Sequence, residues 1–155
     1  GIFAAKGIPM LWQGQEFGEN YFIPENGMGR VVIFRPVRWD YFYDPVGKRM
    51  VSLVRGLIKM RRQPQFQRGR HIFYNDPGRY QSKGVLVFSR EDESLFSLVA
   101  LNFTDQDQQV GFKFPFSGDY REELHGLDGL EDVVGDAWTS FVVPSNYGRV
   151  WTVRI

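Results

Sequence analysis

The chain has 155 residues, 43% of them hydrophobic and 16% aromatic, enough to bury a core in one domain or in two small ones. Nineteen basic residues against 18 acidic ones leave a formal charge of +1, and there is no cysteine. That balance supplies no field to draw nucleic acid or an anionic membrane, and the missing thiols exclude disulfides and thiolate metal sites. No apolar run approaches the roughly 20 residues that span a bilayer. Neither nucleic acid nor a membrane is an expected partner.

In chain order, residues 1–6 read as the tail of a helix and residues 8–12 as a short strand, closed by a polar Gly-Gln-Glu turn. Residues 17–43 form a connection far longer than the two to six residues usual between a strand and a helix. Residues 44–63 read as a helix: Asp44 suits the N-cap, and Pro45 the first turn, where its missing N–H costs nothing. Val46, Met50, Leu53, Val54, Leu57 and Ile58 recur at helical spacing and place one apolar stripe on a single face. Lys59, Arg61 and Arg62 favour the C-terminal end of the helix dipole, and Pro64 is expected to stop the helix.

After Pro64 the period changes from helical to alternating. Residues 84–90, 95–103, 108–114, 119–126, 138–144 and 148–155 read as strands, separated by clusters of turn formers at 91–93, 104–107, 117–119 and 145–148. Short strands at such intervals predict an antiparallel sandwich or barrel. Residues 126–135, rich in Asp and Gly, lack the spacing of a calcium loop and read as a surface loop. The domains expected are therefore 1–64, an α/β piece, and 65–155, an all-β piece. One parallel strand cannot satisfy its own backbone, so the strand at 8–12 needs neighbours from outside this chain.

Gly7, Pro9, Gly14 and Glu16, with Trp12 in the aromatic position, resemble the G-x-P-x-x-(aromatic)-x-G-x-E stretch of the eighth barrel strand of the alpha-amylase superfamily, glycoside hydrolase family 13. The Gln-Glu-Phe-Gly continuation at 15–18 is similar to glycogen branching enzymes and maltooligosyl trehalose hydrolases. The helix ending at 59–69, KMRRQPQFQRG, resembles the last barrel helix, and the strands at 85–90 and 98–103 resemble the first half of the family's C-terminal sandwich. The resemblance implies a mainly β fold: an antiparallel C-terminal β-sandwich preceded by the last βα segment of a truncated (β/α)8 barrel. It implies a parent enzyme acting on α-1,4-glucans, a hydrolase or a branching transferase.

Retaining glycosidases use two carboxyl groups about 5–5.5 Å apart. The family's nucleophile Asp, acid/base Glu and third Asp come from earlier barrel strands, so no catalytic residue is expected in this chain, and no metal or cofactor. Neither His71 nor His125 is followed by Asp, so the family's His-Asp pair is missing too. Glu16, at the end of a barrel strand where active-site residues gather, and Phe17 and Tyr21, nearest that end, are the candidates for substrate contact. Ser140 and Ser145 lack a nucleophile elbow. Residues 65–155 are expected to cover and brace the barrel. A starch-binding module is the alternative, with Trp138, Tyr147 and Trp151 as the aromatic platform. The expected partners are an α-glucan, through the parent enzyme, and the missing N-terminal barrel. Without that barrel, the exposed stripe and strand predict self-association, or docking of the helix on the sandwich.

Overall fold

Alternation after Pro64 resolves into eight antiparallel strands. They are β1 Arg70–Tyr74, β2 Val85–Glu91, β3 Leu95–Asn102, β4 Gln108–Lys113, β5 Gly118–Glu122, β6 Leu130–Val133, β7 Trp138–Val143 and β8 Gly148–Arg154. The computed structural model describes residues 1–20 and 36–155. Six strands form one sheet in the order β1-β2-β3-β8-β5-β6, and β4 pairs with β7 in a second. The mainly β antiparallel class expected from the sequence is the class observed. Six of the strands lie where alternation places them.

The core lies between the sheets. Val87, Leu98, Ala100, Trp151 and Val153 from the large sheet share one buried cluster with Val110, Phe112, Phe141 and Val143 from the small one. Register fixes which side chains enter it: Val87 pairs with Ala100, and Leu98 with Trp151. A slip of one residue would turn every one of them outward. Aromatic rings meet edge to face, with Phe114 4.6 Å from Tyr120, and Phe141 sits tilted 4.5 Å from Trp151. Each large side chain buried here contributes roughly 1.5–3 kcal/mol.

Two strands escape the sequence reading. β6 lies inside 126–135, which is not wholly a surface loop, because Tyr120 and Gly118 pair with Leu130 and Val133. β1 had no turn-bounded alternation to announce it, yet it pairs along its whole length with β2. The strand expected at 119–126 stops at Glu122, since the Glu122 carboxylate gathers the next N–H groups for itself.

Among the described residues three α-helices precede the sheets: α1 Trp39–Tyr43, α2 Pro45–Arg61 and α3 Pro64–Gln67. Asp44 caps α2 as expected, its Oδ1 accepting a bond from the Gly47 N–H at 2.6 Å. Pro64 does more than stop a helix, because it opens α3 at the position where proline is tolerated. Along α2 the buried apolar residues are Val51 and Met60, whereas Val46 and Ile58 of the anticipated stripe are exposed.

The strand expected at 8–12 does not form. Residues 8–12 make no ladder bond among the described residues, and Ile8, Met10 and Trp12 stand exposed. The physical reason is the one that made the strand need neighbours: an extended segment without a partner has nothing to pair with. Residues 1–6 make a turn rather than a helix, with the N–H groups of Ala4 and Ala5 both bonded to the Gly1 carbonyl.

The described residues divide into two compact units, Ile8–Arg55 and a larger one of Gly1–Gly7 with Gly56–Ile155. The smaller packs around Phe17, Trp39 and Phe42. The larger contains both sheets.

Candidate functional site

Glu16 and Phe17 sit in a single 3-10 turn, Gln15–Phe17, between Gly14 and Gly18, both left-handed with φ of +88° and +76°. Such backbone angles favour glycine, which gives the Gly14 of the motif a conformational reason. Phe17 is 2% exposed, tilted 6.2 Å from Trp39 and edge-on to Phe42 at 6.1 Å. Within this unit its ring packs against neighbours and is not open to solvent. Glu16 is half-buried beside it. Tyr21 lies outside the described residues.

The three aromatics considered as a sugar platform have separate fates. Trp151 is buried in the core and donates its Nε1–H to the Asp128 carbonyl at 2.9 Å. Tyr147 stacks on His125 with ring centroids 5.5 Å apart. Trp138 alone of the three is exposed.

The larger unit instead brings together a set of polar side chains on the outer face of the six-stranded sheet. Central strands of a sheet packed on one side only would turn solvated residues outward. Here Arg90, Ser97, Val99, Val150 and Thr152 face away from the core and are nonetheless buried. Met60, at the end of α2, and Gln65 and Phe66, in α3, are buried as well. Contacts join α3 to β2 and β3.

Hydrogen bonds show what this joint does. Among the described residues Arg90 has no carboxylate partner, and its guanidinium reads backbone carbonyls of α3 and of the turn after it. Nε donates to Gln65 O at 3.1 Å, and Nη2 donates to Phe66 O at 3.0 Å and to Gly69 O at 3.3 Å. The Gln65 and Phe66 carbonyls belong to the last turn of α3, where carbonyls have no partner further along the helix, and Gly69 lies just past it. Burial pushes the Arg90 guanidinium below its usual range, and the Arg61 charge adds to that. Gln65 Nε2 donates to Ser97 Oγ at 3.0 Å, and Ser97 Oγ shares a 2.6 Å bond with Thr152 Oγ1. One polar thread thus runs from α3 across β3 to β8.

Two further contacts hold the same region. Gln63 Nε2, in the link between α2 and α3, donates to Glu123 Oε2 at 2.9 Å. Arg61 donates from Nη1 to Ala5 O at 2.7 Å and from Nη2 to Gly7 O, tying residues 1–7 to the helix end. Just before Glu123, Glu122 is 2% exposed and accepts N–H bonds from Leu124, His125 and Gly126 at 3.1, 2.7 and 3.2 Å. Among the described residues no group of three or more His, Cys, Asp or Glu is placed to hold a metal ion.

Sequence reasoning missed this joint because Arg90, Ser97 and Thr152 occupy the polar turns of an alternating pattern, where solvent is the ordinary expectation. The available signal was the small size of Ser97 and Thr152 on strands paired from both sides, which leaves room for a second layer.

The segment from Arg79 through Arg154 carries most of this geometry. A family model for the alpha amylase C-terminal all-beta domain matches residues 79–154. The chain carries an alpha-amylase C-terminal domain. Arg90, Ser97, Glu122 and Thr152 lie inside the matched segment of that domain, and Gln63 and Gln65 precede it.

Solved structures show the same fold. An Anoxybacillus alpha-amylase is similar at a TM-score of 0.70 and 20% identity over 99% of this chain. An alpha-amylase from Geobacillus thermoleovorans, complexed with acarbose, is similar at 0.69 and 21% over 99%. A cyclomaltodextrin glucanotransferase with a three-domain ABC distribution is similar at 0.67 and 21% over 99%. The chain spans 30%, 31% and 31% of those three proteins. No curated protein matches the sequence.

Proposed function

We propose that this chain is the C-terminal part of a longer alpha-amylase-family enzyme acting on α-1,4-glucans, and that its β domain serves a structural role by holding the end of the helix that precedes it. The observation carrying this reading is Arg90, a buried guanidinium whose three hydrogen bonds all go to backbone carbonyls of α3 and of the turn after it. A group that binds substrate must meet solvent, and this one is 1% exposed. The exposed Ile8, Met10 and Trp12 support the first half of the reading, with the remainder of a barrel as the partner that covers them.

On this reading the nucleophile and acid/base carboxyl groups belong to that barrel, and the chain alone does no chemistry. Hydrolysis and transfer differ in whether water or a sugar hydroxyl attacks the glycosyl-enzyme intermediate. The barrel's acceptor subsites, rather than the sandwich, set that choice. Glu16, in the 3-10 turn Gln15–Phe17, remains the residue of this chain proposed to lie nearest substrate.

The test is incubation of the 155-residue chain with soluble starch, following new reducing ends and iodine absorbance. No change in either is expected. Turnover that disappears in Glu16→Gln would place catalysis inside this chain and overturn the reading.

A further inference from the structure

The formal charge of +1 conceals a division along the chain. Between Asp44 and Asp76 lie eight Lys or Arg residues and no acidic one, whereas residues 91–136 hold twelve Asp or Glu against Lys113 and Arg121. Of those eight cations only Arg70 pairs with a carboxylate, that of Glu91, among the described residues. We propose that two copies of this chain associate, with the cationic face of α2 on one copy resting against the acidic edge of β6 on the other.

α2 carries the cationic surface. Lys48, Arg55 and Lys59, seven and four residues apart, fall on one face of the helix, and Arg62 continues that line in the turn after it; all four are exposed. A solvated helix ordinarily mixes signs, with an acidic residue one turn from a basic one. Here like charges stand at that spacing, Arg55 one turn from Lys59, and they repel each other with no acid on the helix to offset them. Negative charge brought from outside stabilises such a face. Ile58, 39% exposed, sits between Arg55 and Arg62 on the same side and adds an apolar contact.

The acidic surface lies on β6, the last strand of the six-stranded sheet, whose outer edge is open. Glu131 and Asp132 are exposed there and make no ion pair among the described residues. Asp119 lies beside them, its carboxylate accepting the Asp132 N–H at 2.9 Å. Arg149 and Lys113 are already paired, with Asp128 and Asp136. Leu127 and Val134, 66% and 63% exposed, bracket this stretch.

The two surfaces are therefore opposite in sign, and each includes exposed apolar side chains. Charge complementarity steers and orients the encounter, and the apolar contacts add affinity that ion pairs in water lack. A second copy supplies the acidic surface that α2 itself lacks.

Sedimentation equilibrium of the 155-residue chain tests this in about 10 mM and about 0.3 M NaCl, between which the Debye length falls from about 30 Å to below about 10 Å. A mass above the monomer's is expected at low salt, with the association constant lowered about tenfold or more at high salt. Arg55→Glu with Lys59→Glu abolishes association, and so does Glu131→Lys with Asp132→Lys. An equimolar mixture of these two charge-reversed variants associates again. Asp132 has a φ of +51°, so Glu131→Lys with Asp132→Asn, which suits that backbone, runs beside them and also weakens association. Circular dichroism checks that each variant is folded. A monomer at low salt, association that either reversal leaves intact, or a mixture that stays monomeric overturns the proposal. Association that strengthens with salt would place the contact on the exposed apolar residues at 8–12 and overturn it as well.

Discussion

Replacing Arg90 by Met removes three donors from the end of α3 while keeping most of the apolar stem that packs beside them. The two better bonds, to Phe66 O at 3.0 Å and Gln65 O at 3.1 Å, involve a charged donor, so each contributes about 1.5–3 kcal/mol. Against this loss stands the removal of a misfit. Arg90 Nη1 is buried without a partner, and deleting it returns about 1–3 kcal/mol. Met also fills the space of the stem without strain. The balance is a net destabilisation of about 2–3 kcal/mol, or about 5–10 °C in Tm for a chain of this size. Urea unfolding followed by circular dichroism measures it, with the midpoint lowered and the slope unchanged. Arg90→Lys is expected to lose nearly as much, because one ammonium cannot reach the three carbonyls that the guanidinium reaches from two separate nitrogens, Nε and Nη2. A Met variant as stable as the parent, or more so, would refute the reasoning: the buried charge would then cost as much as its bonds contribute.

Other outcomes follow from single residues. Glu122→Ala leaves the N–H groups of Leu124, His125 and Gly126 without their acceptor and is expected to cost about 2–4 kcal/mol, with Glu122→Gln milder; an Ala variant with an unchanged urea midpoint would refute this. Gly47→Ala would place a Cβ 1.8 Å from the Tyr41 carbonyl oxygen, so the first turn of α2 must shift at a cost of about 1–3 kcal/mol. A rise in Tm from the better helix propensity of alanine would contradict that. Burial raises the pKa of Tyr120, and of Tyr74 and Tyr80, so the fold keeps these protons where an unfolded chain releases them near pH 10. That contribution is complete below about pH 10 and is lost as pH rises beyond it. Tyr120→Phe should flatten the alkaline loss of stability; a profile identical to the parent's would show that another group governs it.

Asn102 shows how a turn foreseen from composition acquires its geometry from distant chain. The cluster at 104–107 was legible as a turn, but its closure depends on the Asn102 amide, which donates to Gln106 O at 2.7 Å and to Val143 O at 3.0 Å. Val143 is some forty residues away in sequence and adjacent only in the folded sandwich. Phe17 carries the same lesson. Its place after Glu16 marked it for substrate contact, and its packing against Trp39 and Phe42 came from residues that no local pattern connected to it.

Local chemistry alone determined the antiparallel β class, the Asp44 cap with Pro45 behind it, the positions of six strands, and the motif around Gly14. Each is a property of neighbouring residues: a period of two, a side-chain oxygen within reach of its own N–H groups, a glycine able to take positive φ. Only the tertiary structure decided that residues 8–12 remain unpaired, that Leu130–Val133 is a strand, and that Arg90 faces a helix end instead of water. A strand exists only when another segment supplies its hydrogen bonds, and a polar residue in an alternating pattern is exposed only when nothing else covers that face.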